Sequence, residues 1–556
     1  MDPDGPKVLT QAFGPLQGVR VISSGSLIAQ PFAATMAAEM GAEVIQVERP
    51  GQGDGLWRIL EFPITGDNGN TVAAAWVQDR RNSFHVTLDT GNPRGQEIFL
   101  DLLRQADIWM ESSIPGTYPA WGLDDETILK ANPRLVIAHV SGYGQDGNED
   151  YLNRASYDFI GQGFGGSMNL TGFPDGAPSR APPWTGDFIT ALFCIWSSLA
   201  GYIHAQRTGQ GQVIDLAQYE AIHRVLAGTM VAYYELGLNR ERSGNAAGIF
   251  QPYDTFQTSD GWVNLAALGG PFNRLLTVIG LDPTEERWQR ATTELDSPDG
   301  IEFDAILRGW VLEHTVNEAV EIMNASQVPC CAIMTPRDMA EDRHYEARNV
   351  HIEWEDVNLG RTVKGTGVVP KFSETPGKIW RGSVPVGHDN EMVFQQLLGL
   401  SSADLAKLTL QLDGDQIHVS FELNTLYGSD DALAVLAIDT DNDPATGGGD
   451  WDGLGIRSDG WDKLYRFEQG DPVSNTLSGS IPAPGSPSWR IQAVVAQANG
   501  TVMNVAFRGP HELARAGALP EQILPDGGNF WEDIQARVLA NGDISEFGHT
   551  VERADL

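Results

Sequence analysis

The sequence predicts an α/β protein. A doubly wound parallel sheet comes first, a smaller α+β domain follows, and an all-β sandwich closes the chain. Three observations predict this. Between Gly18 and Glu48 an apolar run, a helical stretch ended by glycine, and a second apolar run fit within about 30 residues, the spacing of a parallel β-α-β unit. That alternation of strand and helix continues as far as residue 140. Near residue 405 helical periodicity stops, and alternating apolar runs separated by turn residues take over.

The elements follow in order. Gly18-Val-Arg-Val-Ile-Ser is the first strand, and Pro31 to Met40 a helix with Phe32, Met36 and Met40 on one stripe. Gly41 supplies the left-handed residue that ends it. Glu43–Glu48 is the second strand and Phe84–Leu88 the third. Arg94–Ala106 reads as an amphipathic helix, Ile108–Glu111 as a strand, Asp124–Ala131 as a short helix, and Leu135–Val140 as a buried strand. A Gly-rich helical region leads to an apolar helix over Ile189–Ala205, then a helix over Gln218–Leu236. Residues 247–329 mix a strand at Trp262 with helices, and a last helix spans Asp389–Leu398. Beyond it, Leu408–Leu412, Gln416–Leu423, Ala432–Ile438, Ile491–Ala496 and Val502–Phe507 alternate as half-buried strands do. The domain boundaries that follow are 10–225 for the first part of the large domain, 226–330 for the small domain, 331–404 for the return to the large domain, and 405–556 for the β domain.

Composition excludes some classes of function. The formal net charge is −37, and only seven of the 37 basic residues are lysine. Such a surface repels nucleic acid and anionic membrane, so neither is an expected partner. No run of 18 apolar residues suggests a membrane span. The polar first residues lack the basic head and apolar centre of a secretory signal. The three cysteines, Cys194, Cys330 and Cys331, all fall in apolar element patterns and read as buried thiols rather than a disulfide framework. The cytoplasm is the expected compartment.

Four segments carry chemistry together. The first is Phe13-Gly-Pro-Leu-Gln-Gly-Val-Arg-Val-Ile-Ser, followed by Ala29-Gln-Pro-Phe through Val47-Glu-Arg-Pro-Gly51. The second is Asn132-Pro-Arg-Leu-Val-Ile-Ala-His-Val-Ser-Gly-Tyr-Gly-Gln. The third is Trp184-Thr-Gly-Asp-Phe with Arg207-Thr-Gly-Gln-Gly-Gln-Val-Ile-Asp215, and the fourth Pro370-Lys-Phe with Pro376-Gly-Lys-Ile-Trp-Arg-Gly. In this order and spacing, over residues 10–400, the chain resembles the family III CoA-transferases. The fourth segment and Arg80-Arg81-Asn82 look closest to the carnitine (crotonobetaine/γ-butyrobetaine) branch.

That resemblance implies a Rossmann-like large domain built from both ends of the transferase region, and homodimers interlocked like links of a chain. It implies transfer of CoA from an acyl-CoA to a free carboxylate, with CoA as co-substrate and Asp187 as the nucleophile. The residues agree with that role. A carboxylate that attacks a thioester needs exposure and nearby N–H donors for the oxyanions, and Asp187 follows Gly186 at the start of a helix. Taken alone, such an Asp is more simply an N-cap. Ile28, Ala29, Arg49, Leu88 and Tyr143 match positions where the family holds CoA. Arg80 and Arg81 form a second candidate patch for its phosphates, against the simpler reading of a solvated pair. Trp184, Trp57 and Tyr233 are candidates for a cation–π wall around a trimethylammonium acceptor.

Several family positions differ. Ser112, Ser113 and Ile114 stand where an Asn-Phe pair and a cation are usual, with Ser112 and Ser113 still candidates to bind CoA; Ala120 replaces an arginine, and Gly91 replaces a lysine, with Arg94 nearby. Three rival readings are open. An α-methylacyl-CoA racemase needs a histidine base where this chain has Tyr157, and tyrosine is a poor base at neutral pH. A dinucleotide-binding oxidoreductase needs a Gly-x-Gly-x-x-Gly turn, and Ser24-Gly25-Ser26 does not supply one. The third is an inactive scaffold carrying a Ca²⁺- or carbohydrate-binding sandwich. Asp439, Asp441 and Asp443 alternate in a turn and are candidate hard-oxygen ligands for Ca²⁺, although no Glu completes an EF-hand loop.

Overall fold

The structure is a computed structural model that describes residues 12–398. Beyond them it describes 405–413, 415–423, 432–439, 448–450, 457–468, 470–471, 476–482, 488–497, 502–506 and 549–552. Six parallel strands form the central sheet, in the order Phe84–Thr87, Glu43–Glu48, Arg20–Ser23, Ile108–Glu111, Val136–Ser141, Gln212–Ala217. The first five are almost wholly buried, as strands covered by helices on both faces must be. The order runs outward from Arg20–Ser23 in one direction, then restarts beside it with Ile108–Glu111. The crevice between those two strands is therefore the topological switch point, where open α/β sheets hold their ligands.

Each face has its own core. On one, Phe99, Leu102 and Leu103 of helix Pro93–Arg104 pack with Trp109 and Tyr118, joined by Val393, Phe394 and Leu397. On the other, Ala33, Ala34, Ala37 and Ala38 of helix Ala29–Glu39 meet Ala191, Cys194 and Ala205 of helix Thr185–Thr208. The small side chains let these helices approach closely. Gly41, at φ +94°, follows the first of them as the sequence predicts, and a side chain there would strike the Phe13 carbonyl.

The sheet's outer strand Phe84–Thr87 is finished by side chains from near residue 390. Asp389 accepts from the His85 N–H at 2.7 Å, and Asn390 accepts from the Thr87 N–H at 2.8 Å. Arg381 forks onto Asp389 at 2.9 and 2.7 Å. The hairpin His351–Asp356/Arg361–Thr366 returns to the same unit, where Trp354 packs in one cluster with Trp57 and Trp76. Between these returns lies a smaller unit. Its antiparallel strands Tyr253–Gln257, Trp262–Ala266 and Cys330–Ala332 pack against helices around Phe272, Trp288, Phe303 and Leu307.

The helix expected over Gln218–Leu236 is two helices, Gln218–Arg224 and Thr229–Leu236, because Ala227 takes φ +51° and breaks the run. Cys331 is exposed: strand alternation turns Cys330 inward and its neighbour out. Past residue 405 the described strands pair antiparallel in two main sheets, with Phe421 and Phe467 meeting across them at 5.2 Å.

Candidate functional site

Helix Thr185–Thr208 carries Asp187 in its first turn, and packing against helix Ala29–Glu39 fixes its position. Asp187 is not the cap. Trp184 holds that place, without a side-chain cap bond. The Asp187 carboxylate, expected to be exposed, is instead buried at 9 % exposure among groups from two other segments, residues 156–162 and Gln218. Its Oδ1 accepts from Gln218 Nε2 at 2.5 Å, while among the described residues no donor reaches Oδ2. Its backbone N–H donates to Asp158 Oδ1 at 3.1 Å, so one of the helix's first N–H groups is already engaged. Asp158 Oδ2 accepts from Gln162 Nε2 at 2.8 Å, and Gln218 Oε1 accepts from the Ser156 hydroxyl at 3.3 Å.

Burial first, and the facing Asp158 second, push the Asp187 carboxyl up to about 7, with the Gln218 hydrogen bond opposing them. Glycines make the cluster possible. A Cβ on Gly161 would lie 2.4 Å from Gln218 Oε1, and one on Gly186 would lie 3.0 Å from Asp158 Oδ1.

The other expected residues divide. Ser26 and Ser112, at the ends of the two switch-point strands, meet through the Ser26 N–H and the Ser112 hydroxyl at 3.3 Å. The Ser113 N–H donates to Glu111 Oε2 at 2.5 Å, and Glu111 Oε1 lies 2.6 Å from His139 Nδ1. Asp125 Oδ1 stands 2.9 Å from Nε2 of the same ring. Burial disfavours a charged ring there, but the two carboxylates win and raise His139 to about 9. Tyr143 follows strand Val136–Ser141 and joins Phe164, Tyr151 and Tyr219 in an aromatic group. Arg49 is exposed, with no side-chain partner among the described residues, and Ala29 is half-buried at a helix start. Ile28 and Leu88 are core residues.

Arg80 and Arg81 turn inward instead of forming a patch, each 2 % exposed. Arg80 pairs with Asp54 and the Leu27 carbonyl, and Arg81 with Glu39 and the Thr366 carbonyl. Acidic partners far away in sequence draw both guanidinium groups inside. The expected aromatic wall is not assembled either. Trp57 is buried and meets Trp184 edge-on, Arg180 lies over the Trp184 ring at 5.3 Å, and Tyr233 lies elsewhere, against Tyr234. Of the Ca²⁺ candidates, Asp439 ends a strand, while Asp441 and Asp443 lie outside the described residues. Among the described residues no group of three or more acidic, His or Cys side chains is placed to hold a metal.

Around Asp187 the chain thus gathers a buried carboxylate held through one oxygen and a second acid, Asp158, bound to its backbone N–H. The family model for CoA-transferase family III covers residues 16–390. The chain belongs to the family III CoA-transferases. As a transferase of this family it uses CoA thioesters as co-substrates. It is 37 % identical over 433 residues to the bile acid CoA-transferase BaiK of Clostridium scindens, covering 75 % of this chain and 94 % of that one. It is 35 % identical to the succinyl-CoA–D-citramalate CoA-transferase of Chloroflexus aurantiacus, covering 71 % and 96 %. A CAIB/BAIF family protein from Brucella suis shares the transferase's fold, with 29 % identity and a TM-score of 0.61 over 69 % of this chain and all of that one.

Sequence reasoning missed Asp158, Gln162, Gln218 and the Glu111–His139–Asp125 triplet. The one available signal was Asp158 itself, an acidic residue opening a helix directly after Tyr157 in Ala-Ser-Tyr-Asp.

Proposed function

We propose that this transferase carries CoA between two carboxylic acids as a covalent thioester on Asp187. Oδ2 attacks the donor thioester carbonyl, forming a mixed anhydride and expelling CoA thiolate. The thiolate then attacks Asp187 Cγ; the S–Cγ bond forms, the Cγ–Oδ2 bond breaks, and the donor acid leaves with that oxygen. The acceptor carboxylate runs the same two steps in reverse. The observation that carries this reading is the asymmetry of the carboxylate, with Oδ1 held by Gln218 and Oδ2 without a donor.

Intact-protein mass spectrometry after incubation with a pool of acyl-CoA donors tests it. A CoA-mass adduct that hydroxylamine removes, and that Asp187→Ala lacks, is the expected result. The same adduct on Asp187→Ala would sink the proposal.

For the acceptor we place a bulky apolar acid ahead of the carnitine-like acid that branch resemblance suggests. The relative with 37 % identity is named for bile acids. The Trp184 ring that a trimethylammonium group needs already faces Arg180. Competition between a bile acid, butyrobetaine and malate for a common donor decides it. Arg49 is the better candidate for a CoA phosphate, since Arg80 and Arg81 are occupied inside.

The expected homodimer belongs to the same proposal. Helix Thr185–Thr208 is long and apolar enough to cross a membrane by length and composition alone. It buries one face in the core and leaves Leu192, Trp196 and Ile203 exposed, as helix Thr229–Leu236 leaves Val231, Tyr234 and Leu236. A partner subunit over these faces accounts for them. The facing Phe421 and Phe467 support a sandwich for the C-terminal strands.

A further inference from the structure

We propose that the side-chain amide of Gln218 is a catalytic group, holding Oδ1 of Asp187 and stabilising the oxyanion that forms there whenever a nucleophile adds to Cγ. This rests on the aspartyl reading above and assigns the oxyanion donor within it.

The geometry fixes both ends of the amide. An acceptor-only carboxylate requires Nε2 at that end of the amide, which leaves Oε1 to accept from the Ser156 hydroxyl at 3.3 Å. Gln218 is the first residue of helix Gln218–Arg224 and follows the sheet strand Gln212–Ala217 directly, so sheet and helix together hold its backbone. The residue is buried, and the bare Cα of Gly161 leaves the space its amide fills. The other acid of the cluster, Asp158, touches the Asp187 backbone N–H and not its carboxylate oxygens.

The two oxygens therefore have different fates. Oδ2, without a donor, attacks and becomes the bridging oxygen of the anhydride. Oδ1 stays on Cγ as the carbonyl oxygen. When CoA thiolate adds to Cγ, the electron pair of that carbonyl moves onto Oδ1, against Gln218 Nε2–H. When the pair returns, the Cγ–Oδ2 bond breaks and the acid leaves. The acceptor's attack on the thioester charges Oδ1 in the same way. The amide gives up no proton at any step. It is a fixed dipole aimed at the developing charge, and losing one such donor costs about 10²–10³-fold in turnover.

The first attack is different, because its oxyanion sits on the donor's own carbonyl, away from Gln218. That separates the steps experimentally. Gln218→Met keeps the side chain's length and apolar stem but removes the donor. With an acyl-CoA donor alone, wild type should accumulate the CoA-mass adduct. Gln218→Met should instead release free CoA thiol and carry the acyl mass on the peptide containing Asp187. Its turnover should fall about 100-fold with the donor KM within about twofold of wild type. Gly161→Ala displaces the same amide without altering Gln218 and should show the same change of adduct; it keeps the test decisive if Gln218→Met folds poorly.

Turnover within about threefold of wild type, with the CoA adduct intact in both variants, would overturn the proposal. So would a raised donor KM at unchanged kcat, which marks a binding role. A wild type that forms no CoA adduct on Asp187 would overturn the aspartyl reading itself. A wild-type adduct that persists unchanged in the variants overturns only the role of Gln218.

Discussion

Arg58 forks onto both oxygens of Glu48, at 3.0 and 2.8 Å, and its other terminal nitrogen donates to the carbonyl of Val384 at 3.1 Å. The pair is buried, with the guanidinium 3.9 Å above the Trp76 ring. One side chain thus ties an inner sheet strand to a segment more than 300 residues later. Burial alone would raise the Glu48 carboxyl, but Arg58 and His85 beside it hold it at about 2.

Removing Arg58 leaves that carboxylate buried and uncompensated. Arg58→Met should destabilise the fold by about 3–5 kcal/mol, with Glu48→Gln restoring much of it in the double variant. Thermal midpoints of the four proteins complete the cycle. Because the folded carboxyl titrates below its usual 4.5, the pair's contribution is present above pH 4.5 and lost as pH falls towards about 2.

Asp187 carries the opposite shift. Its carboxyl is raised to about 7, so under the aspartyl proposal the ionised nucleophile should appear, and kcat/KM rise, as pH passes through about 7. Ionising it also costs stability, because the folded form releases its proton later than the unfolded chain does. Asp187→Asn should therefore raise the thermal midpoint by on the order of a few degrees at pH 8 and by less at pH 5. Calorimetry at both values checks this.

Asp158 is the second cause of that shift. Asp158→Asn keeps an acceptor for the Asp187 N–H but removes the facing charge. The midpoint of the acidic limb in the pH–rate profile should move down by roughly one unit. An unmoved limb would assign the shift to burial alone.

His139 lies between Glu111 and Asp125, raised to about 9. A folded pKa above the usual 6.5 means the charged ring stabilises the protein fully below pH 6.5, and that this contribution fades as pH climbs through about 9. His139→Gln should lose on the order of 2–3 kcal/mol at pH 6 and much less at pH 10. Glu111 also holds the N–H of Ser113, a candidate CoA contact, so if that candidate binds CoA the variant should raise the acyl-CoA KM more than it lowers kcat.

What the sequence discloses follows from how local each feature is. The parallel unit is legible because buried strands read as apolar runs, and Gly41 marks a helix end that only a residue at positive φ can make. Family membership is legible through the four segments, and Asp187 stands out as a candidate only through them, not through its own chemistry. Gln218 and Asp158 are 31 and 29 residues from it, and their meeting depends on three separate elements and two missing Cβ atoms. Arg80 and Arg81 mislead for the same reason. Two adjacent arginines look solvated until Asp54 and Glu39 arrive from 26 and 42 residues away.

The side chains of Asp389 and Asn390 have a consequence for how the chain is made. They occupy the outward N–H groups of Phe84–Thr87, a strand that leaves the ribosome some 300 residues before they do. Throughout that interval the nascent sheet presents an open edge able to recruit another chain. Vectorial synthesis seals it only as residue 390 emerges. The strands described from Leu405 onward are translated after that, so their own edges appear once the older edge has been closed.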